Sequence, residues 1–310
     1  MMENNGLVVK NLIKTYPNGV RAVNDISFEV KKGSLFAFLG VNGAGKSTTI
    51  NIICSILSKD SGQIYVDGLD LDKKRSDIKN LIGVVFQNSV LDKDLTVYDN
   101  LKYRTAFYSM KKDEAKEAIN KIIDILDLKP ILKMPIKNLS GGQKRRVDIA
   151  RAIVHSPKFL ILDEPTTGLD PKNRQIVWKI IDKIRVETKM TVFLTTHYLE
   201  EADAATDVVI MDKGVIIARG TPNELKNEYS YDYIIGYLNQ NEEFEHLMDN
   251  DNVKYSYDLE HGFYKIIIDN IGDAKDIINK YSEYLTDIEI KKGTMDDVFL
   301  NVTGKDLKNE

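Results

Sequence analysis

Leu35-Phe-Ala-Phe-Leu39-Gly40-Val-Asn42-Gly43-Ala44-Gly45-Lys46-Ser47-Thr48 decides the fold of this 310-residue chain. The first five residues form a short, wholly apolar run, as expected of a central parallel strand buried on both faces. Glycines at 40, 43 and 45 follow at once, then a helical pattern over Thr48–Leu57. Strand, glycine-rich loop and helix match the spacing G-x-x-x-x-G-K-[ST], whose loop wraps backbone N–H groups around phosphates. The helix start adds the positive end of its dipole. Lys46 supplies a point charge for the terminal phosphates, and Ser47 a hydroxyl suited to Mg²⁺.

Two more strands of the same kind lie downstream. Phe159–Leu162 delivers Asp163 and Glu164, and Thr191–Leu194 delivers Thr195, Thr196 and His197. Polar groups at the carboxyl ends of such strands face the ligand edge of an open α/β sheet. Asp163 is placed to hold Mg²⁺ and Glu164 to act as general base on a water. Strands alternating with helices predict a doubly wound α/β fold. Thr96–Ser156 reads instead as mainly helical, an insertion in that fold. Its signal includes the Ala/Lys/Glu-rich Lys111–Leu128. Leu139-Ser140-Gly141-Gly142-Gln143 opens a further helix over Lys144–Val154 with Ser140 at the N-cap. The glycines leave N–H groups free for a second anion.

Composition bounds the rest. The chain is 43% hydrophobic with a net charge of −4, which excludes a polybasic nucleic-acid binder. One cysteine, Cys54, excludes an internal disulfide and fits a reducing compartment. No apolar run approaches the ~18 residues of a membrane span. The start, MMENNGLVVK, lacks a basic run ahead of an apolar one, so no signal peptide is expected. These features predict a cytoplasmic location.

The charge is unevenly shared. From Lys226 to Glu310 there are nine lysines, no arginine and 19 acids, a net of −10, and nine of the 15 tyrosines. Such a shift predicts a boundary near Thr221–Ser230, with domains over 1–225 and 226–310 and the helical insertion at about 96–156. The tail reads as a small α+β domain. Expected strands are Tyr231–Leu238, Val253–Leu259, Phe263–Asp269 and Leu285–Ile290. Expected helices are Asn241–Met248, Ala274–Tyr281 and Met295–Val302, the last begun by a capping box at Thr294 and Asp297.

With these motifs in order, residues 6–225 resemble the ATP-binding cassette (ABC) ATPases, a P-loop NTPase family. The resemblance implies ATP and Mg²⁺ as ligands. It makes Tyr16 the aromatic that stacks on adenine, and Gly40, Asn42, Gly43, Ala44, Gly45, Lys46, Ser47 and Thr48 the phosphate loop. Gln87, after the apolar Gly83–Phe86, matches the glutamine that senses Mg²⁺ and couples to membrane partners. Ser140, Gly141, Gly142 and Gln143 match the signature that completes the nucleotide site of a second cassette. Gly168-Leu-Asp170 matches the loop that crosses to that partner, and His197 the switch histidine at the γ-phosphate. Ser47, Gln87 and Asp163 are the implied metal ligands; Glu164, His197 and Lys46 the implied catalytic residues. Val41, where the family usually has proline or a similar residue, departs from the pattern; its side chain is not needed for phosphate contact, and little effect is expected.

Lys144-Arg-Arg-Val-Asp-Ile-Ala-Arg, Thr195-Thr-His-Tyr-Leu-Glu-Glu-Ala and the ending Met295-Asp-Asp-Val-Phe-Leu-Asn-Val-Thr-Gly304 resemble the daunorubicin-resistance type of exporter ATPase. That type implies a homodimer, or a pair with a paralogous cassette. It also implies a separate ABC-2 permease, and hence a peripheral position on the inner face of the cell membrane. The alternative is a soluble cassette ATPase outside transport. Gln87 and Ser140 lie only 53 residues apart, too close for the coiled coil of repair proteins. The acidic tail would repel nucleic acid. Stabilising the dimer, regulating the permease, or adding stability alone all remain open for the tail. His155, His246, His261 and Trp178 read as structural.

Overall fold

The computed structural model describes residues 4–268 and 271–304. These divide into two compact units, one ending at Thr221 and one beginning at Pro222.

In chain order the first unit holds β1 (Asn5–Thr15), β2 (Arg21–Lys31), β3 (Leu35–Leu39), α1 (Lys46–Ile53), β4 (Ser61–Val66), β5 (Leu69–Asp70), α2 (Arg75–Leu81) and β6 (Ile82–Val85). There follow α3 (Val97–Ala106), α4 (Lys112–Ile125), α5 (Gly141–Ile153), β7 (Phe159–Asp163) and α6 (Pro171–Thr188). It closes with β8 (Thr191–Thr195), α7 (Leu199–Ala202), β9 (Asp207–Asp212) and β10 (Val215–Gly220). The main sheet runs β10-β9-β3-β8-β7-β6, parallel except for the antiparallel β10 at one edge. A second, antiparallel sheet runs β2-β1-β4-β5. Phe28 of β2 stacks on Phe36 of β3 at 5.5 Å, and Phe38 and Phe193 join them at 5.3 and 6.2 Å. These fully buried rings weld the two sheets beneath the strand ends that carry the motifs.

Some element ends differ from the sequence reading. Helix α1 starts at Lys46, directly on Gly45, and stops at Ile53 rather than Leu57; Ser55 turns the chain at φ 58°. Helix α5 begins at Gly141 because Ser140 and Gln143 close a capping box around its first turn.

The insertion carries one half-buried histidine. The rings of His155 and Tyr108 stack at 3.7 Å, and Arg104 donates to the Tyr108 hydroxyl at 2.6 Å. Among the described residues no side chain hydrogen-bonds to either His155 nitrogen. Burial, with the charge of Arg104 nearby, outweighs a backbone hydrogen bond to Ile82 and lowers its pKa from 6.5 to about 4. A histidine held neutral in the fold contributes stability that is present above the unfolded value and lost as pH falls toward the folded one. Between pH 6.5 and 4 the protein should lose about 2–3 kcal/mol through this group, a figure reduced for the solvent still reaching the ring. Urea unfolding across that window checks it: His155→Phe should flatten the pH dependence, and an unchanged slope refutes the assignment.

The second unit holds α8 (Pro222–Tyr229), β11 (Asp232–Gly236), α9 (Glu242–Asn250), β12 (Tyr255–Asp258), β13 (Phe263–Ile268), α10 (Ile271–Lys280), β14 (Ile288–Lys291) and α11 (Met295–Thr303). Its sheet runs β12-β13-β11-β14, antiparallel throughout, a split β-α-β arrangement of ferredoxin type. The expected strand end at Asp269 lies outside the described residues. The expected strand from Leu285 begins only at Ile288, because Leu285 is buried in the core. Tyrosines build that core: Tyr264 and Tyr281 edge onto Phe244 at 5.1 and 5.6 Å. Their hydroxyls meet Glu245 and Asp251, so acidic residues serve a tyrosine-rich interior. The capping box at Thr294 and Asp297 starts α11 as the sequence implies.

Candidate functional site

Four neighbouring parallel strands deliver the motifs to one sheet edge: β3 the phosphate loop, β6 Gln87, β7 Asp163 and Glu164, β8 Thr196 and His197. The loop needs its glycines. A Cβ on Gly40 would lie 2.3 Å from the Met211 carbonyl, and one on Gly45 2.2 Å from that of Ala22. Both residues also adopt positive φ, which glycine tolerates without strain. Lys46 is buried and donates to the carbonyls of Gly40 at 2.6 Å and Val41 at 3.0 Å, so its ammonium is folded over the loop. Asn42, Gly43 and Ser47 are exposed, while Ala44 is buried beneath them. The Tyr16 hydroxyl lies 3.2 Å from Thr48 Oγ1, which brings the candidate adenine platform against the helix that opens the loop.

Glu164 is the meeting point of the site. One carboxylate oxygen contacts His197 Nε2; the other accepts from Gln87 Nε2 at 2.8 Å and Thr167 Oγ1 at 3.2 Å. Its backbone sits at φ 47°, a costly conformation for a glutamate. The strain is held by its N–H, which donates to the Thr195 carbonyl at 3.0 Å. Burial alone would raise the Glu164 pKa; hydrogen bonding and charge from His197, with Thr167 and Lys46, outweigh it and leave it lowered. Asp163 goes the other way. Burial and the charge of Glu164 raise its pKa against the hydrogen bond from Thr195, at 2.6 Å, and the charge of Lys46. Adjacent carboxyls driven apart in this way suit different tasks.

The Ser140–Gln143 turn is built as a unit of its own. Ser140 is exposed; its N–H donates to Gln143 Oε1 at 2.9 Å, and its hydroxyl accepts from the Gln143 N–H at 3.3 Å. Gly142 packs closely against α6: a Cβ there would meet the Asn173 side-chain amide at 2.3 Å, so that side chain would have to move.

Sequence reasoning missed Arg145. Its buried guanidinium donates to the carbonyls of Pro165 at 2.5 Å, Phe86 at 2.6 Å, Glu164 at 2.9 Å and Asp163 at 3.3 Å. One side chain of α5 thus pins the segments carrying Gln87, Asp163 and Glu164. In a Lys-Arg-Arg run nothing marks which cation turns inward.

A metal would find few protein ligands here. Among the described residues no three His, Cys, Asp or Glu cluster as a metal site. The hydroxyl of Ser47 and the carboxylate of Asp163 are hard oxygen donors, which suit Mg²⁺ held largely by phosphate oxygens and water.

This sheet edge and loop define a nucleotide-hydrolysing cassette, and comparison with known proteins agrees. The family model described as "ABC transporter" matches residues 23–167. The linearmycin resistance ATP-binding protein LnrL of Bacillus subtilis is 34% identical over 98% of this chain and 100% of its own length. The daunorubicin/doxorubicin resistance ATP-binding protein DrrA of Streptomyces peucetius is 41% identical over 70% of this chain and 65% of its own. A dimeric post-hydrolysis structure of the ATP-binding cassette MJ0796, bound to ADP and Pi, superposes with a TM-score of 0.63 at 27% identity. It covers 69% of this chain and 98% of that one. The chain belongs to the ABC transporter family, as an ATP-binding, ATP-hydrolysing subunit, and it is similar to ATP-binding proteins named for antibiotic resistance. Among the described residues no helix is long and apolar enough to cross a membrane.

Proposed function

We propose that this chain is the motor of an ABC-2-type exporter, acting through a separate permease by ATP-dependent dimerisation. The observation that carries the reading is the division of the site. Lys46, Gln87, Asp163, Glu164 and His197 converge on one sheet edge, while Ser140 and Gly141 at the start of α5 lie exposed with the cap closed on itself. A second copy presenting its own Ser140–Gln143 turn would complete the phosphate cage, and hydrolysis would release it. Such a cycle converts differential nucleotide binding into a stroke.

Within the site, Tyr16 would hold the adenine, and Lys46 with the loop N–H groups would hold the phosphates. Ser47, Asp163 and Gln87 would hold Mg²⁺, which would supply neutralisation of phosphate charge. Glu164 would accept the proton of the attacking water, and His197, already against Glu164, would orient it toward the γ-phosphate. Gln87, bonded to Glu164, offers a route from the permease to the chemistry. The exporter direction is supported by relatives whose names record antibiotic resistance. The subunit would then lie in the cytoplasm on the inner face of the membrane.

The test is affinity capture of tagged Glu164→Gln protein from detergent-solubilised native membranes. Stoichiometric recovery of a multi-span membrane protein supports the reading. Recovery of soluble partners alone transfers it to the cassette ATPases outside transport.

The acidic tail is proposed as an accessory domain that the nucleotide site does not need. The cut implied by the structure falls between Thr221 and Pro222, just ahead of α8, which pairs with α11 in the second unit. A chain ending at Thr221 should bind ATP with undiminished affinity by titration calorimetry. Lost binding in a folded fragment would show that the boundary is misplaced.

A further inference from the structure

Two glutamates follow Leu199, and the fold treats them oppositely. Glu200 is exposed and pairs with Arg174 at 3.2 Å. Glu201 turns inward, with only 7% of its surface reached by solvent. Its Oε1 accepts from Thr166 Oγ1 at 2.5 Å and Trp178 Nε1 at 2.7 Å; its Oε2 accepts from Thr196 Oγ1 at 2.5 Å. Among the described residues no cation pairs with it; Arg174, on the same helix as Trp178, is held by Glu200 and stacks on Tyr198 at 4.2 Å. A buried carboxylate satisfied only by hydrogen bonds depends on every donor it has.

The donors come from three segments that matter to the site. Thr166 follows Glu164 with one residue between, and both Thr166 and Thr196 are essentially inaccessible. Thr196 immediately precedes His197. Trp178 lies on α6, whose N-cap is Asp170, the end of the Gly168-Leu-Asp loop. Glu164 and His197, the near neighbours of these two threonines in the chain, touch each other directly. Three acceptor contacts on one anion therefore tie the general-base segment, the switch segment and the loop helix together. Charge-assisted bonds of this kind are roughly twice as strong as neutral ones.

We propose that Glu201 is a positioning residue for hydrolysis: its carboxylate fixes the Glu164 and His197 segments to one another and to α6. Glu201 acts through Thr166 and Thr196 rather than on the reacting groups. The inference rests on the roles assigned above to Glu164 and His197. It also supplies a probe, because Trp178 is the only tryptophan of the chain. Protein fluorescence excited at the indole therefore reports on the Glu201 bond.

The experiment uses the full-length chain with Glu201→Gln, Glu201→Ala and, as reference, Glu164→Gln. The glutamine keeps the shape but removes the charge, and its N–H₂ forces a threonine hydroxyl to turn from donor to acceptor. Its turnover should fall about tenfold, and that of Glu201→Ala about a hundredfold, as small misplacements of catalytic groups do. KM for ATP and the unfolding midpoint of Glu201→Gln should stay near wild type, and Trp178 emission should shift without nucleotide. Turnover within twofold of wild type in Glu201→Gln overturns the proposal. So does a joint fall of turnover, ATP affinity and midpoint, which would make Glu201 a packing residue only. If Glu164→Gln itself retains turnover, the reading of the site fails first; if it is inactive while Glu201→Gln is normal, only the role of Glu201 fails.

Discussion

Glu164→Gln should keep ATP bound while its turnover falls by at least about 10²-fold, the scale set by loss of a general base. The substitution is nearly isosteric. The amide oxygen can still accept from Gln87 Nε2 and Thr167 Oγ1, which now bond the carboxylate at 2.8 and 3.2 Å. The amide nitrogen can face the ring nitrogen of His197. Geometry is therefore retained and proton acceptance is lost. Binding is assigned above to other groups, chiefly the loop from Gly40 to Thr48, so affinity for ATP should hold. ATP added to the variant should trap a dimer that sediments at twice the mass of the chain. Undiminished hydrolysis would remove Glu164 from the role of base; lost binding would mean that the substitution disturbs the loop.

How much of this is legible in the sequence depends on what each residue does. Strands β3, β7 and β8 announce themselves, since burial on both faces demands unbroken apolar runs such as Phe159–Leu162. The residues they deliver are legible for the same reason: polar side chains that end such a run emerge together at the edge of the sheet. The antiparallel sheet is not legible in this way. Strand β1 breaks its alternation with register shifts around Asn11, itself at φ 48°, so period two never shows over its whole length. Ferredoxin-type pairing in the second unit joins β11 to both β13 and β14, contacts far apart in the chain that no local pattern encodes. Arg145 and Glu201 are hidden more deeply. Each lies beside a residue of the same charge, Arg146 or Glu200. Only the packed fold decides that Arg145 rather than Arg146 braces the strand exits, and that Glu201 turns toward hydroxyls while Glu200 faces water.

Arg145→Met should be the most damaging single change to the cassette outside the nucleotide loop. Methionine matches the length and apolar character of the buried stem, so the cavity term is small. What disappears is the donor fork. Carbonyls of Phe86, Asp163, Glu164 and Pro165 lose a shared partner at once. Asp148, whose carboxyl burial pushes upward in pKa, also loses a neighbouring cation that opposes this. Leaving buried carbonyls without a donor costs about 1–3 kcal/mol for each group left unsatisfied. Urea unfolding should therefore show a large fall in midpoint. Turnover should fall as well, because Glu164 is held in its strained conformation partly through its carbonyl. Arg145→Lys separates the two effects. It keeps the charge, but a single ammonium cannot span carbonyls on the exits of both β6 and β7, as the planar fork does. Its stability should lie between wild type and Arg145→Met, while its turnover should stay close to that of the methionine variant. If Arg145→Lys turns over ATP like wild type, charge alone holds the site, and the four-way bracing of the Gln87 and Glu164 segments is not what sets their geometry.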